Sequence, residues 1–166
     1  MIERSAEFSP CRRYRYVLWR NWGDLITPTK GYVMFIGLNP STADETNDDP
    51  TVRRCIAYAK AWGYSALCMT NIFAFRATDP KDMMLAHLID PVGPENDAWL
   101  LAMANDAALV VAAWGVHGSF QDRGGYVRRF LPKLHCLRLT KDGHPGHPLY
   151  LPKTLRPVEI GKETMV

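Results

Sequence analysis

The sequence has no stretch near the ~20 apolar residues that a bilayer-spanning helix needs. Its opening residues, Met1-Ile2-Glu3-Arg4-Ser5-Ala6-Glu7, lack the apolar run of a secretory signal. No membrane partner is implied, and a cytoplasmic location is expected. Cysteine is scarce and scattered: Cys11, Cys55, Cys68 and Cys136 are the only ones, and no two share the spacing of a zinc knuckle or a thioredoxin-like dithiol. In a cytoplasmic chain they read as reduced thiols. There is no internal repeat and no low-complexity segment. With 47% hydrophobic and 22% charged residues, the composition excludes a disordered chain, a collagen and a coiled coil.

What is present is enough for one domain: 166 residues can bury a self-sufficient core. The expected division is a single α/β domain over residues 1–156 and a loose tail over 157–166. The net charge of +3 hides a pattern. Residues 37–106 carry five basic and ten acidic side chains, whereas residues 107–156 carry eight basic side chains against Asp122 and Asp142. A basic end can attract a polyanion, although a charge run is more often a solvated face.

Four apolar runs read as strands: residues 32–36, 66–73, 109–114 and 135–139. Residues 13–20 alternate arginine with aromatic and β-branched residues and read as a further strand at the edge. Helices are expected where apolar residues recur at helical spacing. One follows Asp48 or Asp49 with Pro50 at its first position. Others cover residues 81–88 and 95–107, and a short one follows Gly124-Gly125. Strands alternating with helices imply a short, mainly parallel four-stranded sheet with helices on both faces, plus an N-terminal edge strand or hairpin.

In such sheets ligands bind beyond the carboxyl ends of the strands. The loops there would gather Asn39, Ser41 and Thr42 after the first strand, and Asn71, Arg76 and Thr78 after the second. The third would bring His117, and the fourth His144, His147 and Tyr150. Amides, imidazoles, hydroxyls and a guanidinium together suit a neutral heterocycle with a phosphate nearby. Each piece also has a plain structural use. Gly-X-Asn-Pro makes a turn, and an asparagine at a strand end satisfies backbone groups.

The runs CRRYRYVLWRNWG, MFIGLNPSTADETNDDPTVRRC, NIFAFRATDP, DPVGPENDAWL and HPLYLP resemble domain-of-unknown-function family 1643 over about residues 11–152. The order of motifs is also distantly similar to the uracil-DNA glycosylase superfamily, whose fold is a three-layer αβα sandwich. Gly37-Leu38-Asn39-Pro40 resembles that superfamily's first motif, Asn71 its base-reading asparagine, and His147-Pro148 its His-Pro loop. The resemblance implies that Asn39 positions a water, that Asn71 hydrogen-bonds a base edge, and that His147 stabilises charge on the leaving base. Leu149 or Tyr150 would wedge into the stack, and Ser41, Thr42 and Arg76 would meet phosphate or nucleic acid. Superfamily members stack the base on an aromatic soon after the first motif. Residues 41–52 contain none, so Phe73 or Phe75 is expected to take that place. The superfamily's iron–sulfur cysteine spacing is absent, and no cofactor is implied.

Three functions follow as expectations. The first is a protein that recognises a base in DNA or a nucleotide and hydrolyses its N-glycosidic bond. The second is a non-catalytic binding module of the same fold. The third is a metal-assisted nucleotide hydrolase in which Asp44, Glu45, Asp48 and Asp49 hold a divalent cation; those carboxylates otherwise read as a solvated loop and a helix cap. The sequence does not fix an oligomeric state.

Overall fold

The computed structural model describes residues 3–23, 31–85, 89–131 and 133–161. Its centre is β3 (Tyr32–Gly37), in which Val33, Met34, Phe35 and Ile36 are all fully buried. Such a strand must be covered on both faces, and successive side chains point to opposite ones. Val33 and Phe35 join one core with Leu67, Met69 and Val111; Met34 and Ile36 join the other with Cys68, Val110 and Ala112. Helix α1 (Pro50–Ala61) covers the first face through Val52, Cys55, Ile56 and Ala59. Leu100 of α3 (Asn96–Asp106), Val127 of α4 (Arg123–Phe130) and Met83 of α2 (Pro80–Met84) cover the second.

Among the described residues the sheet has seven strands, not four with an edge addition. Its order is β1 (Glu3–Phe8), β2 (Arg15–Asn21), β4 (Ala66–Asn71), β3, β5 (Leu109–Ala112), β6 (His135–Cys136) and β7 (Val158–Glu159). The four strands β4, β3, β5 and β6 are parallel, whereas β1, β2 and β7 join antiparallel. The N-terminal segment is therefore a hairpin. Residues 158–159, expected in a loose tail, instead pair with β6, and Ile160 N–H donates to the Leu134 carbonyl at 2.9 Å.

Four expected elements are shorter than their apolar runs; β4 stops at Asn71 and β5 at Ala112. Strand β6 stops at Cys136 because the chain then builds a small hairpin of its own: Leu139 bridges Pro145, and Thr140 N–H donates to the His144 carbonyl at 2.8 Å. Helix α2 ends at Met84, and residues 86–88 of the expected helix lie outside the described residues. Gly124 and Gly125 fall inside α4 rather than before it. A side chain at Gly118 or Gly124 would run into the Trp114 indole, so the glycines let helix and ring pack closely. Among the described residues no helix is long and apolar enough to cross a membrane.

Candidate functional site

Strand β3 is followed in the chain by β4 on one side and then by β5 on the other. Such a reversal leaves a crevice beyond the carboxyl ends of the strands. A pocket of about 730 Å³ lies there, lined by the loops after β3 and β5, the end of β4, the first turn of α1 and the loop after β6. That volume suits a small organic ligand.

Asn39, Asn71 and His147 all line this pocket, as do Ser41, Thr42, Leu149 and Tyr150. Asn39 is held by its own amide group: Nδ2 donates to the Ala77 carbonyl at 2.8 Å and to that of Pro40 at 3.2 Å. With both N–H groups spent on the backbone, its Oδ1 is left to accept a hydrogen bond from outside the protein.

Asn71 ends β4 and is 3% exposed. Asn96, itself fully buried, donates to the backbone carbonyls of Asn71 and Ile72 at 2.8 and 3.2 Å, and Arg123 Nε also donates to Ile72 at 2.8 Å. These bonds fix the strand end. The Asn71 side chain lies against Gly37, where a Cβ would stand 2.8 Å from Oδ1. Its Nδ2 is buried without a hydrogen-bond partner. An unpaired buried amide is costly, and a pocket wall is where a ligand can supply the missing acceptor.

His147 precedes a short 3-10 helix, Pro148–Tyr150. Its Nδ1 accepts the Leu149 N–H at 3.2 Å. In the neutral ring the proton is then on Nε2. Burial pushes the imidazole pKa down, partly offset by the charge of Asp49. The pocket thus contains a neutral N–H donor. Arg54 holds this loop by donating to the Pro148 and Leu151 carbonyls at 3.2 and 3.0 Å, and Gly115 N–H donates to Pro145 at 2.8 Å. The Tyr150 ring stands 5.3 Å from that of His147 and is 85% exposed.

Other expected residues lie elsewhere. Phe73 is fully buried against Phe120, and Phe75 packs on Tyr14, so neither lines the pocket. Past Asn71 the chain turns into the α3 and α4 layer, and these rings are core. Arg76 also stays outside: it donates to the Arg12 carbonyl at 3.2 Å, and its guanidinium lies 4.9 Å from the Phe8 ring. His144 does not reach the pocket, whereas His117 and Thr78 do.

The acidic loop is occupied with its own structure. Asp44 Oδ1 accepts the backbone N–H groups of Thr46 and Asn47, which hold its pKa down at about 2. Asp48 pairs with the fully buried Arg20 at 2.8 Å, Glu45 pairs with Arg12, and Asp49 caps α1 through Val52 N–H. Among the described residues no group of three potential ligands gathers into a metal site.

Several wall residues stand outside the expected site set, Trp114 and Arg15 among them. Trp114, 2% exposed, reads as the last residue of an apolar strand. Arg15 reads as one of several strand arginines. Strand β2 runs antiparallel to β4, so its first residue stands at the rim where β4 ends. Only that strand direction, invisible locally, could have revealed Arg15.

Residues 15–149 match the model of the family described as "Protein of unknown function (DUF1643)". No curated protein and no solved structure matches the chain.

Proposed function

The chain belongs to the DUF1643 family, and we propose that its pocket binds a base of DNA or of a nucleotide and hydrolyses the bond joining base to sugar. The observation that carries this reading is the convergence of Asn39, Asn71 and His147 on one pocket at the strand ends. The resemblance to uracil-DNA glycosylases supplies the roles. A mixed sheet that is parallel at its centre, with helices on both faces, supports this reading.

The Asn71 amide pairs with the edge of the base, giving its buried Nδ2 the acceptor it lacks. Asn39 Oδ1 accepts a hydrogen bond from a water and holds it against the sugar C1′. The C1′–N bond breaks with its electron pair going to the base, water oxygen bonds to C1′, and the proton that water loses ends on the base. His147 Nε2–H donates to the oxygen of the departing base as negative charge develops there. In a polynucleotide the base must leave the stack, and Leu149 and Tyr150 stand at the mouth to fill the gap.

One observation favours the binding module as a second reading. Among the described residues Asp49 is the only carboxylate in the wall, and its Oδ1 caps α1 by accepting the Val52 N–H, so no carboxylate without a structural role faces the pocket.

Uracil- and hypoxanthine-containing oligonucleotides, single- and double-stranded, should acquire alkali-labile sites with the wild-type protein and not with folded Asn39→Ala or His147→Ala. Binding of nucleosides without cleavage would favour the module. Neither binding nor cleavage across the common and deaminated bases would overturn the base-recognition reading.

A further inference from the structure

Arg15 is 2% exposed, yet it makes no ion pair among the described residues. Its single protein hydrogen bond runs from Nη1 to the Ala43 carbonyl at 3.0 Å. Nε is buried with no partner, and Nη2 has none either. A buried cation normally carries a counterion and a full set of acceptors, because desolvation is otherwise uncompensated. The other buried arginines follow that rule: Arg20 pairs with Asp48, and Arg123 with Asp97. Arg15 departs from it, and it lines the pocket.

The surroundings narrow the missing partner. Among the described residues Arg15 is the only lysine or arginine in the wall and Asp49 the only carboxylate. Asp49 acts on Arg15 as a nearby charge without pairing, and its Oδ1 is held by the Val52 N–H at 2.8 Å. The first turn of α1 opens on the same space. Pro50 has no N–H, Val52 N–H is capped, and the Thr51 N–H finds no protein acceptor among the described residues. Helix N-termini favour anions.

We infer that Arg15 and the N-terminal turn of α1 form a subsite for an oxyanion carried by the ligand, so that the pocket takes a nucleoside monophosphate unit in preference to a free base or nucleoside. The oxyanion completes the guanidinium's hydrogen bonds by forked contact with its two unpartnered nitrogens. Burial pushes the Arg15 pKa down to about 10, so the side chain stays cationic at neutral pH. The nucleotide identity rests on the base-recognition reading above; the oxyanion subsite itself does not.

The test uses calorimetric titration of the full chain, at low ionic strength, with inorganic phosphate, acetate, nucleosides of the common and deaminated bases, and their 5′- and 3′-monophosphates. The Arg15 Nε–H resonance is followed by NMR in parallel. Monophosphates should bind at least tenfold more tightly than the nucleosides, and phosphate alone should move the Arg15 resonance. Arg15→Gln should erase the preference for monophosphate. Asp49→Asn keeps a good helix cap and removes the neighbouring negative charge, so it should tighten phosphate binding several-fold. If Arg15→Gln does not fold, the wild-type resonance and Asp49→Asn still decide. An Arg15 resonance unmoved by saturating phosphate or monophosphate would overturn the subsite. Nucleosides that bind as tightly as their monophosphates would overturn it too, while leaving base recognition standing. Phosphate that moves Arg15 while no nucleoside binds would uphold the subsite and remove the base. A response to acetate equal to that for phosphate would make the anion a carboxylate and overturn the nucleotide.

Discussion

Gly37 and Asn71 are partners across the parallel pairing of β3 and β4, and the Asn71 amide occupies the space that a side chain at position 37 would fill. The glycine of the Gly-Leu-Asn-Pro turn is thus more than a turn residue: its missing side chain lets an amide lie flat at the strand end, facing the pocket that Asn39 borders from the next turn of chain. Gly37→Ala should displace the Asn71 amide while leaving both strands in place. The expected stability loss is about 1–3 kcal/mol, the usual cost of overpacking, with at least a tenfold loss in nucleoside affinity. Urea denaturation and titration measure the two. Unchanged affinity would mean that the amide's position does not matter to the ligand.

A related outcome separates the functional from the structural use of Asn71. Its side chain makes no hydrogen bond to the described protein groups, and its Nδ2 is buried without one. Asn71→Ala therefore loses no protein hydrogen bond and relieves an unpaired amide. Its stability cost should be about 1 kcal/mol or less, against roughly 1–3 kcal/mol where a buried bond is broken, while nucleoside binding is lost. A large drop in denaturation midpoint with binding retained would mark Asn71 as a structural residue.

How much of this was legible in the sequence depended on burial. The central parallel strands carry continuous apolar runs because helices cover both faces, and Tyr32–Gly37 could be read directly. The outer strands β1 and β7 could not, since Glu3–Phe8 and Val158–Glu159 are largely exposed and are held by backbone pairing that places little demand on side-chain pattern. The same logic divides the site. Asn39, Asn71 and His147 follow recognisable strand ends. Phe73 and Phe75 were misplaced because an aromatic just past a strand end serves core and pocket equally well in the sequence. Arg15 needed knowledge of strand direction.

His147 makes the fold pH-dependent in a definite sense. Its pKa in the native state lies below the ordinary 6.5, chiefly because burial disfavours the imidazolium. As the pH falls below about 6.5, the unfolded chain takes up a proton that the native state resists, so stability is full above that value and declines toward the depressed native pKa. His147→Gln should remove part of this decline. Urea titrations of both proteins between pH 5 and pH 8 test it, and parallel stability curves would refute it. Any cleavage that needs the neutral ring should retain its acid limb below pH 6.5.

Arg20 organises the acidic loop. It is fully buried and bonds to Asp48 Oδ1 at 2.8 Å and to the Asp44 and Asn47 carbonyls at 2.6 and 3.2 Å. Arg20→Met should cost roughly 3–5 kcal/mol, as expected when one member of a buried pair is removed, and should free residues 44–48. A chelator should leave wild-type stability unchanged if this guanidinium, rather than a cation, holds the loop. A chelator-dependent midpoint would restore the metal-assisted reading.

Tyr150 offers the cleanest separation of binding from folding. At 85% exposure its ring contributes little to the core, and it leans on His147 at the mouth of the pocket. Replacing so exposed a residue usually changes stability by no more than about 0.5 kcal/mol. Stacking of a base on an aromatic side chain is worth about 1–3 kcal/mol, so Tyr150→Ala should weaken an oligonucleotide roughly 5- to 150-fold at unchanged denaturation midpoint, and Tyr150→Phe should restore it. The comparison also distinguishes a stacking surface from a hydroxyl contact. If Tyr150→Phe is as weak as Tyr150→Ala, the phenol oxygen is what the ligand meets. If neither variant weakens binding, the ring lies outside the bound ligand's reach.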